Sequence, residues 1–335
     1  MTTTTAHAAA EDERERFQRP ARMHTLRLGR TKLSYIPDGA VQLSPRGWFA
    51  ASTEEDWAAH PEFLDATGYL VASIGGLLVE TEGEGEDVAE GTGRGGGDGE
   101  GAGGGAGPLL IDAGFGPLTA PAREGERIGA AHGGALLDSL AAAGHTPADI
   151  GTVAFTHLHP DHVGWGWHMA PGGDGPALGG AEYVLAEQEW SGRHSAGHEG
   201  LSDDILKTLE PRVRTVADGE EIRPGVRVRL LPGHTSGHTG YVISAGGKRV
   251  IAFGDAMHSP LQISHPRWSA SPDLDGEAAT EARRALIAEL AEPDTIGFGI
   301  HFADVPFGTV QRDGEGLRWV PYPTEVPYPT EVPSP

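Results

Sequence analysis

Short apolar stretches recur between polar loops along the chain, and they predict a protein with many strands. Runs rich in Val, Ile, Leu and Phe predict strands at 31–36, 76–80, 109–111, 152–155, 182–185, 226–231, 241–243 and 250–253. Helices are predicted at 135–143, where Leu136 and Leu140 share one face before Gly144, and at 277–292. Strands and helices in this order indicate an α/β protein, an αββα sandwich of two mixed β-sheets flanked by helices.

Three segments differ in composition from the predicted domain of residues 21–320. Residues 1–20 are polar, lack the apolar core of a secretion signal and are predicted to be a disordered extension. Residues 81–107 are rich in glycine and acidic side chains, so we expect a disordered insertion between two strands. Residues 321–335 contain a duplicated Pro-rich hexapeptide, which predicts an extended, exposed tail.

A dense group of metal-competent side chains follows the apolar run that ends at Phe155. The next seven residues include three histidines and one aspartate. Alternate residues of an extended segment face the same way, so His157 and His159 can share one metal ion. Asp161 and His162 lie beyond the bend and are expected to reach a second ion. Imidazole and carboxylate are ligands of zinc and of related divalent metals.

Three other strand ends offer ligands of the same kind. His234 lies in a loop after the strand predicted at 226–231, and the glycines around it allow a tight backbone. Asp255 follows the apolar run 250–253, and His301 follows another apolar run. A single histidine or aspartate at a strand end is usually structural, but together these residues predict a metal site.

These motifs, in this order, resemble those of the metallo-β-lactamase-fold hydrolase superfamily. The resemblance rests on the motif His-x-His-x-Asp-His at 157–162, the motif Pro-Gly-His-Thr-x-Gly-His around His234, Gly254-Asp255, His301, and the strand that ends in Asp112 before a glycine turn. Within the superfamily, residues 254–260 and the segment after His301 resemble most closely the branch of lactonases and methyl-parathion-hydrolase-like enzymes.

The resemblance implies a site with two divalent metal ions. One ion would be held by His157, His159 and His234, the other by Asp161, His162 and His301, and Asp255 would bridge them. Asp112 is expected to orient the ligand loop through hydrogen bonds rather than to bind an ion. The chain has no cysteine, so the thiolate ligand of some zinc β-lactamases is excluded. Zinc is the expected metal, and manganese, iron and cobalt are open alternatives.

Such a site predicts a hydrolase that needs no covalent enzyme intermediate. Two ions that share one water lower its pKa from about 15.7 toward 7, so a bridging hydroxide can attack a small ester, with a lactone favoured. Asp161 or a metal-bound water would return a proton to the leaving group, while Asp255 holds both ions. The main alternative is a phosphotriester or aryl-ester hydrolase of the methyl-parathion-hydrolase type. A β-lactamase, a thioesterase, a redox diiron protein and a metal-binding protein without catalysis rank lower.

Further residues are candidates for the substrate cleft. His258 follows Asp255 closely and is a candidate for the cleft wall, whereas His238 is expected to support the loop of His234. The aromatic side chains near the motifs are explained equally well by a pocket or by core packing; they are Trp48, Phe49, Trp165, Trp167, Trp268 and Phe302.

Charge and composition limit the partners that we expect. The net charge of −23 argues against nucleic acid, because phosphate binding needs clustered Lys and Arg. A small neutral or weakly anionic substrate is expected instead. No apolar run approaches the length of a membrane-spanning helix, so no membrane partner is expected. The lack of cysteine fits a cytoplasmic protein without disulfides. The sequence leaves the oligomeric state open.

Overall fold

The computed structural model describes residues 14–82, 107–194, 200–314 and 316–326. Over these residues, two mixed β-sheets pack against each other and helices cover their outer faces. This arrangement confirms the predicted αββα sandwich. The parts of the predicted extension, insertion and tail at 1–13, 83–106 and 327–335 lie outside the described residues.

The first sheet contains the N-terminal nine strands. They are β1 (His24–Leu28), β2 (Thr31–Leu43), β3 (Leu70–Thr81), β4 (Leu109–Ile111), β5 (Thr119–Ala120), β6 (Ile128–His132), β7 (Thr152–Ala154), β8 (Glu182–Ala186) and β9 (Val213–Val216). The order is β5-β6-β2-β3-β4-β7-β8-β9, and β1 pairs with β2. Strands β4, β7, β8 and β9 run parallel to one another, and the other pairs in this sheet, including β3 with β4, are antiparallel.

The second sheet follows in sequence order. Its strands are β10 (Glu221–Arg223), β11 (Val226–Leu230), β12 (Thr239–Ala245), β13 (Lys248–Ala252), β14 (Thr295–Phe298), β15 (Phe307–Asp313) and β16 (Gly316–Pro321). Strands β13 and β14 are parallel, since the long helix between them returns the chain to the same edge. The other neighbours in this sheet are antiparallel.

Most helices are short and lie outside the sheets. They are α1 (Pro45–Trp48), α2 (Glu54–Ala59), α3 (Leu136–Ala142), α4 (Pro160–Trp167), α5 (Glu187–Gly192), α6 (Asp203–Leu209) and α7 (Gly276–Leu290). Helix α7 begins at Asp275, whose side chain accepts hydrogen bonds from the backbone N–H groups of Glu277 and Ala278. The two helices predicted from leucine spacing are α3 and α7.

Three apolar layers hold the sandwich together. Side chains such as Tyr35, Leu77 and Val250 fill the space between the sheets. Helices α3, α4 and α6 pack on the outer face of the first sheet, and α7 packs on the second through residues such as Leu286. Each fully buried side chain of Leu or Phe size contributes about 1.5–3 kcal/mol relative to an exposed one. The helices therefore cover surface that would otherwise face water.

Both ends of the predicted domain extend further than the sequence suggested. Arg16 and Arg19, in the predicted N-terminal extension, contact the buried Asp304. Glu325, in the predicted tail, exchanges two backbone hydrogen bonds of 2.8 Å with Thr25 of β1. Phe17 and Tyr322 also pack against the core, so both segments are held by single apolar side chains and specific hydrogen bonds that composition does not reveal.

Candidate metal centre

A short loop at 155–159 follows β7 and leads directly into helix α4. His159 is the N-cap of α4, and Pro160 occupies its first turn. Asp161 and His162 therefore lie in the first helical turn. The helix itself was not predicted, because Gly164 and Gly166 weaken its pattern in the sequence. Gly164 packs against the backbone of Phe115, where a Cβ would lie 2.0 Å from the carbonyl carbon.

Three imidazoles and one carboxylate converge in a first cluster. His159 Nδ1 lies 2.8 Å from His157 Nε2 and 3.0 Å from His234 Nε2. Asp255 Oδ2 lies 3.1 Å from His234 Nε2 and 3.7 Å from His157 Nε2. All four side chains are buried, and their ligand atoms lie within 4.8 Å of one another.

A second cluster lies on the other side of Asp255. Asp255 Oδ1 is 2.8 Å from His301 Nε2 and 3.1 Å from His162 Nε2. Asp161 Oδ2 lies 3.6 Å from His162 Nε2 and 3.8 Å from His301 Nε2. The two oxygens of Asp255 thus face two different groups of imidazoles. The seven residues that the sequence singled out as ligands all lie in these two clusters.

The donors fit a pair of divalent cations. His162 Nε2 is buried and makes no hydrogen bond of normal geometry to the described residues, although Asp255 Oδ1 is near. An imidazole nitrogen left unpaired in this way is costly unless a cation or proton occupies it. Nitrogen and carboxylate oxygen at this spacing form the ligand set of zinc and its neighbours.

The electrostatics also favour positive charge between the clusters. Burial opposes protonation of His234, but the carboxylates of Asp255 and Asp273 outweigh it and raise its pKa to about 9. Burial and the neighbouring imidazoles hold the pKa of His157 and His159 well below the usual value, which keeps both rings neutral. Burial opposes ionisation of Asp255, yet the surrounding histidines hold its pKa well below the usual range. The raised pKa of His234 means that a proton supplies positive charge here when no cation is bound, and a cation would have to displace that proton, because metals bind the neutral imidazole and the anionic carboxylate.

Other residues hold the ligand imidazoles from behind. Asp112 Oδ2 lies 2.9 Å from His162 Nδ1, and Asp112 also accepts hydrogen bonds from the N–H and O–H of Thr156. The Ser73 carbonyl lies 2.8 Å from His301 Nδ1. The placement of Asp112 agrees with the orienting role that we expected for it.

Asp273 performs the same task for His234 and was missed in the sequence. Its Oδ1 lies 2.9 Å from His234 Nδ1, and its Oδ2 accepts a hydrogen bond from the buried Arg283 of α7 at 3.3 Å. Asp273 lies 39 residues from His234 in a Ser-Pro-Asp segment that resembles an ordinary turn. No sequence signal would have connected the two.

His238 supports the site without facing either cluster of ligand atoms. Its Nδ1 lies 3.0 Å from the Leu231 carbonyl, and its Nε2 accepts the backbone N–H of Asp255 at 2.9 Å. Burial, reinforced by His234, lowers its pKa to about 3, so the ring is neutral. Both ring nitrogens are occupied by backbone groups, which fits the supporting role predicted for it.

A cavity of about 150 Å³ opens next to the clusters. Its polar end is formed by His159, Asp161, Asp255, His258 and His301, and its apolar wall by Val41, Leu43, Trp48, Ala72, Phe115, Ile128 and Pro272. His258 Nε2 lies 3.1 Å from Asp255 Oδ2, and the His258 ring stacks on that of His301. His258 therefore lines the cavity, as the sequence suggested, and it also touches the shared carboxylate.

The aromatic candidates separate into pocket and core. Trp48 lines the cavity with its ring edge against His258. Trp165 instead donates from Nε1 to Asp38 in the core, and Trp268 packs on Phe49. Phe302 is fully buried against Trp319 and Phe253, and Trp167, the last residue of α4, is partly buried against the core on the outer face of the first sheet. Phe115, which was missed, follows the glycine turn after Asp112.

The comparison with protein families agrees with the fold and the motifs. Residues 102–301 match the model of the metallo-beta-lactamase superfamily. This match covers more than half of the chain, and the chain therefore belongs to the metallo-beta-lactamase superfamily.

Individual relatives are similar over part or most of the chain. An N-acyl homoserine lactonase from Bacillus sp. is 29% identical over 147 residues, which cover 41% of this chain and 54% of the relative. The chain thus spans about half the length of this curated relative. Two solved structures share the fold. AidC, a dizinc quorum-quenching lactonase, is 23% identical with a TM-score of 0.70, and the match covers 90% of this chain and 98% of AidC. The hydrolase AbOPH of the beta lactamase superfamily is 22% identical with a TM-score of 0.66, and the match covers 92% of this chain and 100% of AbOPH.

Within the described part of the chain, none of the helices has the length and apolar character that a membrane span requires.

Proposed function

We propose that this protein is a metal-dependent hydrolase that opens small lactones with two divalent ions, preferably zinc. The observation that carries the proposal is the position of Asp255, whose two oxygens face two separate groups of ligand atoms. A carboxylate placed in this way suits a bridge between two ions. Family membership and the lactonases among the relatives agree with this reading.

The ligands divide between the two ions according to the two clusters. His157, His159 and His234 would hold the first ion. Asp161, His162 and His301 would hold the second, and Asp255 lies within reach of both groups. Asp112, Asp273 and the Ser73 carbonyl keep the rings of His162, His234 and His301 in place.

The residues of the chain position the reactants and move one proton. When bound, two divalent ions supply an acidified water and polarise the carbonyl that it attacks. Asp255 is 4% exposed and stays in place as an anion, whereas the Asp161 side chain is 21% exposed at the cavity. Asp161 is therefore the carboxylate that accepts the proton of the attacking water and passes it to the alkoxide released from the ring. The product is a hydroxy acid, which loses one proton at neutral pH.

The cavity favours a neutral substrate with an apolar substituent. Among the described residues, those that line it include neither lysine nor arginine, and its wall away from the ligands is aliphatic and aromatic. An anionic substituent would find no cationic side chain to balance it there. A small lactone with an alkyl or acyl chain fits this environment. A neutral phosphotriester or aryl ester also fits it and is the second candidate.

The proposal is tested by proton release at constant pH from zinc-loaded protein. The substrates are an acyl homoserine lactone, an aryl ester, a phosphotriester and a thioester, and the His159→Ala variant serves as the blank. We expect the fastest release from the lactone and almost none from the variant. Faster turnover of the phosphotriester would replace the lactone by the second candidate. No release from any substrate, by protein that carries two ions, would refute hydrolysis.

A further inference from the structure

Helix α5 carries a carboxylate that is buried beside the candidate ligand loops. Glu189 lies within this helix and is 5% exposed. Glutamate is rarely buried to this extent unless its oxygens are satisfied by hydrogen bonds. The chemistry described for the cavity makes no use of this side chain.

The two oxygens of Glu189 bind two different loops. Oε1 accepts the backbone N–H of Leu158 at 2.9 Å, and Leu158 separates His157 from His159. Oε2 accepts the hydroxyl of Thr235 at 2.6 Å and the backbone N–H of Gly237 at 3.2 Å. One carboxylate thus ties the His157–His159 segment to the loop of His234.

The loop of His234 lies directly on the helix backbone. A Cβ at Gly237 would lie 2.0 Å from the backbone nitrogen of Glu189. On its other side, a Cβ at Gly233 would lie 2.1 Å from the nitrogen of Ala279 in α7. The loop is therefore held between α5 and α7, and a longer side chain at either glycine would displace it.

We propose that Glu189 is a positioning residue for the first metal ion. It sets the distance between the two segments that carry His157, His159 and His234, and it does so through the chain backbone and Thr235 rather than through the ligand rings. The second cluster is supported by other groups, namely Asp112 behind His162 and the Ser73 carbonyl behind His301. Loss of Glu189 should therefore weaken the binding of the first ion and leave the binding of the second ion unchanged. This inference rests on the two-ion site of the proposed function.

The test compares Glu189→Gln with Glu187→Gln in competition titrations of Zn²⁺ against a chelator. Both changes remove one negative charge from α5, but Glu187 is exposed. The glutamine at 189 keeps the shape and turns an NH₂ donor toward N–H or O–H donors. His157→Ala and His301→Ala identify which of the two binding steps belongs to each ion. In Glu189→Gln we expect the binding step of the first ion to be 10–100-fold weaker and that of the second ion to be unchanged. Glu187→Gln should bind both ions as the wild type does.

Thr235→Val provides a milder version of the same change, because it removes a single donor to Glu189. We expect it to weaken the first step by several-fold and to leave the second unchanged. This variant decides the question if Glu189→Gln does not fold.

The contrary outcomes are distinguishable. Unchanged binding in Glu189→Gln, or equal weakening of both steps, would overturn the role of Glu189, as would an unchanged first step in Thr235→Val. Fewer than two ions on the wild-type protein would overturn the two-ion assignment itself.

Discussion

Asp112 Oδ2 lies 2.9 Å from Nδ1 of His162, and this contact directs the opposite ring nitrogen, Nε2, toward Asp255. Asp112 follows β4 with a φ of 61°, a left-handed conformation that few residues other than glycine adopt. The parallel neighbour β7 ends beside it, so Thr156 donates to the same carboxylate. The strained backbone at Asp112 thus places its carboxylate against His162 Nδ1, the ring nitrogen that faces away from the second cluster.

Asp112→Asn should weaken the second ion. The amide replaces one acceptor by an NH₂ group, so His162 loses the partner that fixes its ring and raises its basicity. We expect a 10–100-fold weaker second binding step in a chelator titration, with the first step preserved. The exposed Asp138 provides the control as Asp138→Asn. Equal affinities in wild type and Asp112→Asn would contradict an orienting role.

Asp255→Ala should weaken both ions together. Its two oxygens face different clusters, whereas each of the other six candidate ligands was assigned to one cluster. Elemental analysis after gel filtration should find less than one ion per chain, compared with two in the wild type and in Asp138→Ala. A variant that keeps both ions and full activity would show that Asp255 does not bridge.

Trp48→Ala should change the preference for chain length. The indole forms part of the apolar cavity wall, and its removal exposes to water any substituent that packs there. At about 0.8 kcal/mol per buried methylene, exposure of about two methylenes should lower kcat/KM for a hexanoyl lactone about tenfold relative to an acetyl lactone. Trp48→Phe keeps an aromatic face in the cavity wall, so its kcat/KM for the hexanoyl lactone should fall less. Parallel losses for both substrates would place the acyl chain elsewhere.

Asp304 should make stability depend on pH in the acid range. Burial opposes its ionisation, but His24, the Arg22 backbone and Arg19 outweigh burial and lower its pKa to about 2. A lowered pKa contributes stability above the unfolded value of about 3.9 and loses it as pH falls toward 2. The loss is roughly 2–3 kcal/mol.

Urea unfolding of metal-free protein at pH 6 and pH 3 measures the part of this loss that falls above pH 3, about 1 kcal/mol. The free energy of unfolding of the wild type should fall more between these pH values than that of Asp304→Asn. An equal decrease of the free energy of unfolding in both proteins would show that Asp304 is not a source of the pH dependence.

The sequence predicted the two sheets and the candidate ligands because both depend on local patterns. Apolar runs predicted eight strands, and the rule that ligands follow strand ends located His157, Asp255 and His301. Strand β2 extends well beyond its predicted segment, since Pro37 and Gly39 interrupt the pattern at a bulge, and β3 begins six residues before the segment predicted for it.

Local sequence patterns did not predict the residues that hold the candidate ligands in place. Glu189 and Asp273 act on residues far away in sequence, and nothing in their own neighbourhoods distinguishes them from exposed acids. The same holds for the aromatic residues, because Trp48 and Trp165 have similar local contexts but lie in the cavity and the core. Only tertiary contacts separate these cases.

In the proposed reaction, water opens a lactone at the acyl carbon of a substrate held beside Asp161 and Asp255. The most direct measurement is ring opening of an acyl homoserine lactone in H₂¹⁸O by zinc-loaded protein, with mass analysis of the product. We expect one ¹⁸O atom in the new carboxylate and no product above background with His159→Ala. Intact lactone after incubation with protein that carries two ions, or ¹⁸O in the alcohol, would contradict the account.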